Sequence, residues 1–281
     1  MVWRGSLQLD YRCDELRGVP RTVLHDRHDG PLRVLASLYP EGPPTCHSVL
    51  VHPPGGLVGG DELDIAVDVA PGAHALITTP GATRFYRSAG ATATQRLRAH
   101  LADRARLEWL PLETIAYSGA LAENLMRFEL APGAEMIGWD VLALGLPAAD
   151  QPFGRGRFVQ HLELPGRWLE HGAIDAADTQ LLDSPLGWAG HRVLGTLWFA
   201  AGGALEPARR DALLAAAREL AAADALLRAS AGATMQHDGI VVLRVLAARV
   251  EPAMALLTRV WAAWRATAWH MAATPPRVWR T

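Results

Sequence analysis

The chain has 281 residues, of which 27 are Lys or Arg and 29 are Asp or Glu, for a formal net charge of −2. With charge this balanced and no run of basic residues, nucleic acid is excluded as an expected partner, because neutralising a line of phosphates requires a basic stripe. Half of the residues are hydrophobic and 26 are Gly, so a sizeable core is expected without disulfides or a structural metal.

The first twenty residues, MVWRGSLQLDYRCDELRGVP, carry charges throughout and lack the apolar stretch of a secretory signal. No run of about 18 uninterrupted apolar residues follows, so no membrane span is expected and the location reads as cytoplasmic. Cys13 and Cys46 show no CxxC pairing and are expected to be two buried, reduced thiols.

Residues 52–63 read HPPGGLVGGDEL. A phosphate cradle needs its glycines to open a helix, with a Lys and then Ser or Thr completing the site. Neither follows Gly60. The next stretch, DELDIAVDVA, alternates apolar and polar residues, so Gly55, Gly56, Gly59 and Gly60 are expected to build a sharp positive-φ turn that feeds a strand.

From there the sequence repeats loosely. PGAHALITTPGATRFY (71–86) aligns with ADRARLEWLPLETIAY (102–117) at an offset of 31, matching Pro80 to Pro111, Thr83 to Thr114 and Tyr86 to Tyr117. The APGA of Ala70 to Ala73 recurs at Ala131 to Ala134, and a weaker fourth unit is read at Pro165-Gly166. Short alternating runs between these turns have the strand signature. Units of about 30 residues that cannot bury their own apolar face are expected to stack, as coils of a β-solenoid or as layered sheets. The predicted architecture is mainly β, with a layered body over residues 1–203 and two helices with an intervening strand over 204–281, packed on it as one unit.

The two helices are EPARRDALLAAARELAAADALLRAS, ending before Gly232, and EPAMALLTRVWAAWRATAWHM, with GIVVLRVLA as the buried strand between them. Pro207 suits a first helical turn. Leu257, Val260, Trp261, Trp264, Ala268 and Met271 form one stripe, read as core.

Candidate chemistry is sparse. Glu108, Glu113 and Asp140 lie near the Trp-bearing segments EWLPLE and GWD, and stacked coils would bring them to one wall; paired carboxylates there would suit acid–base chemistry on glycans, with Glu113 and Asp140 as the pair. The eleven histidines show no HxH, HExxH or HxxxH pattern, so no tight metal site is visible. His47, His52, His161 and His171 read as polar surface or core residues.

HPPGGLVGGDEL, ALITTPGATRFYRS, LEWLPLETIAYSGA, GWDVLALG and the terminal PPRVW, taken together and in this order, resemble the UreD (also UreH) family of urease accessory proteins. The resemblance runs from about residue 20 to residue 281. It implies a non-enzymatic maturation factor with a layered β body and two helices, which links the helical accessory protein UreF, and through it the GTPase UreG, to the urease apoprotein. It also implies that nickel in transit follows an internal polar passage, with no tightly bound cofactor or metal. Carried over residue by residue, the motif positions are Gly59, Gly60, Asp61, Thr78, Thr79, Arg84 and Tyr86, then Glu108, Trp109, Pro111, Glu113, Trp139 and Asp140. Hard oxygen donors that release quickly suit a hydrated cation in passage, and Asp61, Thr78, Thr79, Glu113 and Asp140 would supply them, with weak nickel contacts at Asp61, Glu113 and Asp140. Arg84 and Asp140 stand where the family usually has Lys and Glu.

Overall fold

Short alternating strands cut by Gly and Pro turns return the chain to the same place about every thirty residues. The computed structural model describes residues 3–280, the side chain of Ala148 aside. Among these, the strands in chain order are β1 (Arg4–Leu16), β2 (Val19–Asp29), β3 (Arg33–Val34), β4 (Thr45–Val51), β5 (Glu62–Val69), β6 (His74–Thr78), β7 (Thr83–Phe85), β8 (Ala93–Leu101) and β9 (Arg106–Leu110). They continue as β10 (Thr114–Ala116), β11 (Leu121–Leu130), β12 (Glu135–Leu146), β13 (Gln151–Pro152), β14 (Arg157–Leu164), β15 (Trp168–Asp175), β16 (Val193–Ala201), β17 (Ala231–His237) and β18 (Ile240–Ala247). The helices are α1 (Thr179–Asp183), α2 (Pro207–Ala223) and α3 (Val250–Trp269).

A seven-stranded sheet runs β15-β14-β11-β8-β5-β1-β2, and an eleven-stranded sheet runs β17-β18-β16-β12-β9-β6-β4-β3, with β7, β10 and β13 paired off this path. Their facing sides form one core, in which Leu9, Leu97, Phe128 and Phe158 meet Leu107, Met136 and Trp198. The other side of the larger sheet is covered by α2 and α3, where Trp139 and Phe199 pack with Leu213, Leu257, Trp261 and Trp264.

The repeat is physical. β6, β9 and β12 pair in parallel, His74 against Arg106 and Arg106 against Glu135, in steps of 32 and 29 residues that together make the 61 separating the two APGA turns. β5, β8 and β11 stack in the same way on the other wall. The offset of 31 is the register of β7 on β10, Thr83 against Thr114, and it carries Tyr86 onto Tyr117 with ring centroids 4.9 Å apart. Parallel coils therefore stack as in a solenoid.

Four expectations change. Pro165-Gly166 does not open a fourth coil: Gly166 takes φ +71° and turns the chain into the antiparallel β14–β15 hairpin. The first long helix stops at Ala223, because the Asp224 carboxylate accepts the N–H groups of Leu226 and Leu227 at 3.0 Å each and starts a new turn. Residues 231–237 then form an edge strand, so a β17–β18 hairpin rather than a single strand separates the two long helices, and α1 adds a third helix. Cys46 is buried but Cys13 is exposed, and both are free. Among the described residues, no helix is long and apolar enough to cross a membrane.

Candidate functional site

The glycine turn is built by its own chemistry. Gly60 takes φ +95°, and the Asp61 carboxylate accepts the N–H groups of Val58 at 2.9 Å and Trp3 at 3.1 Å. Asp61 is thus buried as the cap of its turn, tying that turn to the chain ahead of β1. A Cβ on Gly56 would stand 2.3 Å from the Tyr86 ring, so this glycine lets the Tyr86–Tyr117 stack lie flush against the turn.

Behind the turn, between the sheets, lies a cavity of about 350 Å³. Of the residues singled out in the sequence, Gly55, Gly56, Thr79, Pro80, Arg84, Trp109 and Pro111 line it. No carboxylate does. Thr79 accepts the Leu112 N–H at 2.9 Å, and the buried indole N–H of Trp109 has no partner among the described residues. Burial holds the His52 imidazole, another lining group, below its ordinary pKa, partly opposed by Asp61.

Gln95 also lines this cavity and begins a polar line through the core. Gln95, Asn124 and Gln160 face one another in register on β8, β11 and β14, on the inward side that otherwise carries Leu97, Met126 and Leu162. The Gln95 amide donates to the Asn124 carbonyl at 3.4 Å. From the opposite sheet, the Asp140 carboxylate accepts Asn124 Nδ2 at 3.2 Å and Gln160 Nε2 at 2.9 Å. The carbonyl of Gln160 is buried without a partner among the described residues. Burial, and then the charge of Glu170, push the Asp140 carboxyl up to about 7, while the two amide donors pull the other way. Asp140, Gln160, Glu170, His171 and Thr196 line a second cavity of about 210 Å³. The amide row therefore joins one cavity to the other.

The remaining candidates point elsewhere. Thr78 faces the helices: its hydroxyl donates to the Leu110 carbonyl at 2.6 Å and accepts the Trp279 indole N–H at 2.8 Å. Arg84 is exposed and pairs with neither Asp61 nor Glu113. Glu113 is half-buried and lines neither cavity. Glu108, fully buried on the helix side, accepts the Trp261 indole at 2.6 Å and bonds His74 at 2.7 Å. Glu108, Glu113 and Asp140 thus do not share a wall, because alternation along β9 and β12 sends Glu108 and Asp140 to opposite faces of one sheet. The glycan-hydrolase reading, which needed Glu113 paired with Asp140, is not supported. Among the described residues no three His, Cys, Asp or Glu side chains are grouped to hold a metal ion.

Comparison with known proteins points to one family over nearly the whole chain. The sequence model of the UreD urease accessory protein family matches residues 4–280. A protein of Leptothrix cholodnii named urease accessory protein UreD is 64% identical over 281 residues, covering 100% of both chains. Proteins of the same name from Albidiferax ferrireducens and Variovorax paradoxus are 62% and 61% identical, covering 99% and 100% of both chains respectively. The chain belongs to the UreD family.

Two features of this UreD-family chain were not anticipated from its sequence. One is the amide row. Its signal was present, since Gln95, Asn124 and Gln160 recur at about the coil period on inward positions of otherwise apolar strands, but it needed the register before it could be read. The other is the helix anchor. Arg265 of α3 is fully buried, with Nη2 at 2.5 Å from Glu41 and Nε at 3.5 Å from Glu108. Glu41 also binds His47 at 2.6 Å. Burial would raise the Glu41 carboxyl, but His47 and Arg265 hold it below its ordinary value. This network ties α3 to Glu108 of β9 and, through Glu41, to His47 of β4. The Trp139 indole donates to the Pro111 carbonyl at 2.6 Å and the ring packs on Trp279, so the C-terminal PRVW segment closes the same face.

Proposed function

We propose that this chain is a urease maturation factor that acts by binding rather than by catalysis. Nickel in transit passes between its sheets, while UreF-type and UreG-type accessory proteins and the urease apoprotein dock outside. The relatives' name supports the maturation role. The single observation that supports the passage is the polar row Gln95–Asn124–Asp140–Gln160 joining two cavities through an otherwise apolar core.

Amide carbonyls and one carboxylate are hard oxygen donors, and a hydrated cation meets them without being trapped. Asp140 is the charge-bearing group, and its titration near neutrality lets it be anionic when a cation arrives and protonated when it leaves. Asp61, which caps its turn, and Thr78, which holds Trp279, support the walls rather than the path. Thr79 and Arg84 stand at the first cavity. Glu113 and Tyr86 have no assigned contact with the ion.

The discriminating variant is Asp140→Asn, which keeps the shape and removes the charge. Co-expressed with the accessory proteins and apo-urease, it is expected to co-purify in the complex while the nickel content and activity of urease fall. Wild-type nickel content in urease would refute the passage, and a wild-type chain that fails to co-purify with these proteins would refute the scaffold assignment. Asp61→Ala, by contrast, tests the turn, and its expected effect is on stability.

A further inference from the structure

His161 and His171 are ten residues apart in sequence and carry no metal motif, yet the β14–β15 hairpin places them directly opposite each other. Their Nδ1 atoms are 3.2 Å apart, with ring centroids at 5.3 Å and planes crossing at 68°. Since the nitrogens are about 2 Å closer than the centroids, the two Nδ1 edges face each other. His171 is exposed, and the His161 side chain is 28% exposed.

We propose that His161 and His171 form a two-imidazole site for a divalent transition-metal cation of the nickel, copper and zinc class. Bonds of about 2.05 Å from both Nδ1 atoms to one ion would span the observed 3.2 Å with an angle of roughly 100° at the metal, between the octahedral and tetrahedral values. Neutral imidazole suits these ions, and water completes the coordination.

A second observation points the same way. Glu163 Oε2 lies 3.6 Å from His161 Nε2. A carboxylate beside the far nitrogen favours the proton there and leaves the Nδ1 lone pair for a metal, the arrangement common behind metal-ligating histidines. Arg127, 2.8 Å from Glu163, fixes that carboxylate in turn. Both histidines stand on paired strands, so little ordering is needed on binding. With two protein ligands the site is a weak, exchanging one. Alternation along β14 and β15 sends His161 and His171 to the outer face of the smaller sheet, opposite Gln160 and Leu162, so the site stands independently of whether ions move between the cavities.

The test is nickel titration by calorimetry on the tag-free full chain. Wild type is expected to bind one Ni²⁺ at this site, and His161→Ala and His171→Ala each to weaken that binding by about tenfold or more, without changing thermal stability in the absence of metal. Glu163→Gln is expected to weaken it by about tenfold. With Cu²⁺ as probe, the electron paramagnetic resonance signal should show two nitrogen ligands in wild type and fewer in either single variant. A wild-type chain that takes up no nickel, or a titration unmoved by both histidine variants, overturns the proposal. Asp140→Asn should leave this binding unchanged, so the site and the passage stand or fall separately.

Discussion

Asp140→Asn separates stability from function. In the folded chain the Asp140 carboxyl titrates near 7 instead of its ordinary 3.8. A raised carboxyl means that the folded state holds the proton more tightly than the unfolded one. The associated stability is therefore complete below about pH 4 and is lost as pH rises through 7. Three units at about 1.4 kcal/mol each set the whole effect near 4 kcal/mol. Asparagine has no such titration, so the variant should exceed wild type by up to about 4 kcal/mol at pH 8 and differ little at pH 4. The contacts survive: Asn offers one acceptor where Asp offered two, but the buried Gln160 carbonyl, without a partner among the described residues, can turn to accept the new amide. With an unfolding entropy of about 0.6 kcal/mol/K for a chain of this length, the gain corresponds to roughly 7 °C in Tm. Urea and thermal unfolding of both proteins between pH 4 and pH 8 measure the difference directly. A difference that does not grow with pH, or a variant weaker than wild type at pH 8, would refute the burial argument. The same variant is expected to load less nickel into urease, making it more stable and less functional at once.

Among the described residues, Arg265 is the one arginine within ion-pair distance of buried Glu41 and Glu108, so Arg265→Met strands those carboxylates and should cost about 3 to 5 kcal/mol, or roughly 5 to 9 °C in Tm by calorimetry; adding Glu108→Gln should recover part of the loss, and simple additivity would contradict the network. Gly56→Ala drives a Cβ against the Tyr86 ring and the Arg84 carbonyl and should cost about 1 to 3 kcal/mol in urea unfolding. Gly81→Ala, with nothing within 4 Å of its Cβ, is the control and should be near neutral.

Much of the fold was legible because it is decided locally. Alternation along DELDIAVDVA and the PGA turns specify strands and where they end, and turns spaced at a constant interval force the strands to stack. The helix of residues 206–230 was misjudged in length because Ala and Leu propensity runs on past residue 223, whereas a single capping carboxylate, Asp224, ends it. The edge strand β17 was missed because AGATMQH is mostly exposed and needs no apolar alternation.

The candidate site was legible only in part. The sequence by itself determined the glycine turn and the coil period, since each depends on neighbours along the chain. What the tertiary structure alone decided is which polar groups meet. Asp61 caps a turn, Asp140 joins an amide row from another sheet, and two unremarkable histidines become a facing pair. The physical reason is that a side chain's charge state and partners are set by atoms brought close across the fold, from 10 residues away for His161 and His171 to 58 for Asp61 and Trp3, and no local pattern encodes that distance.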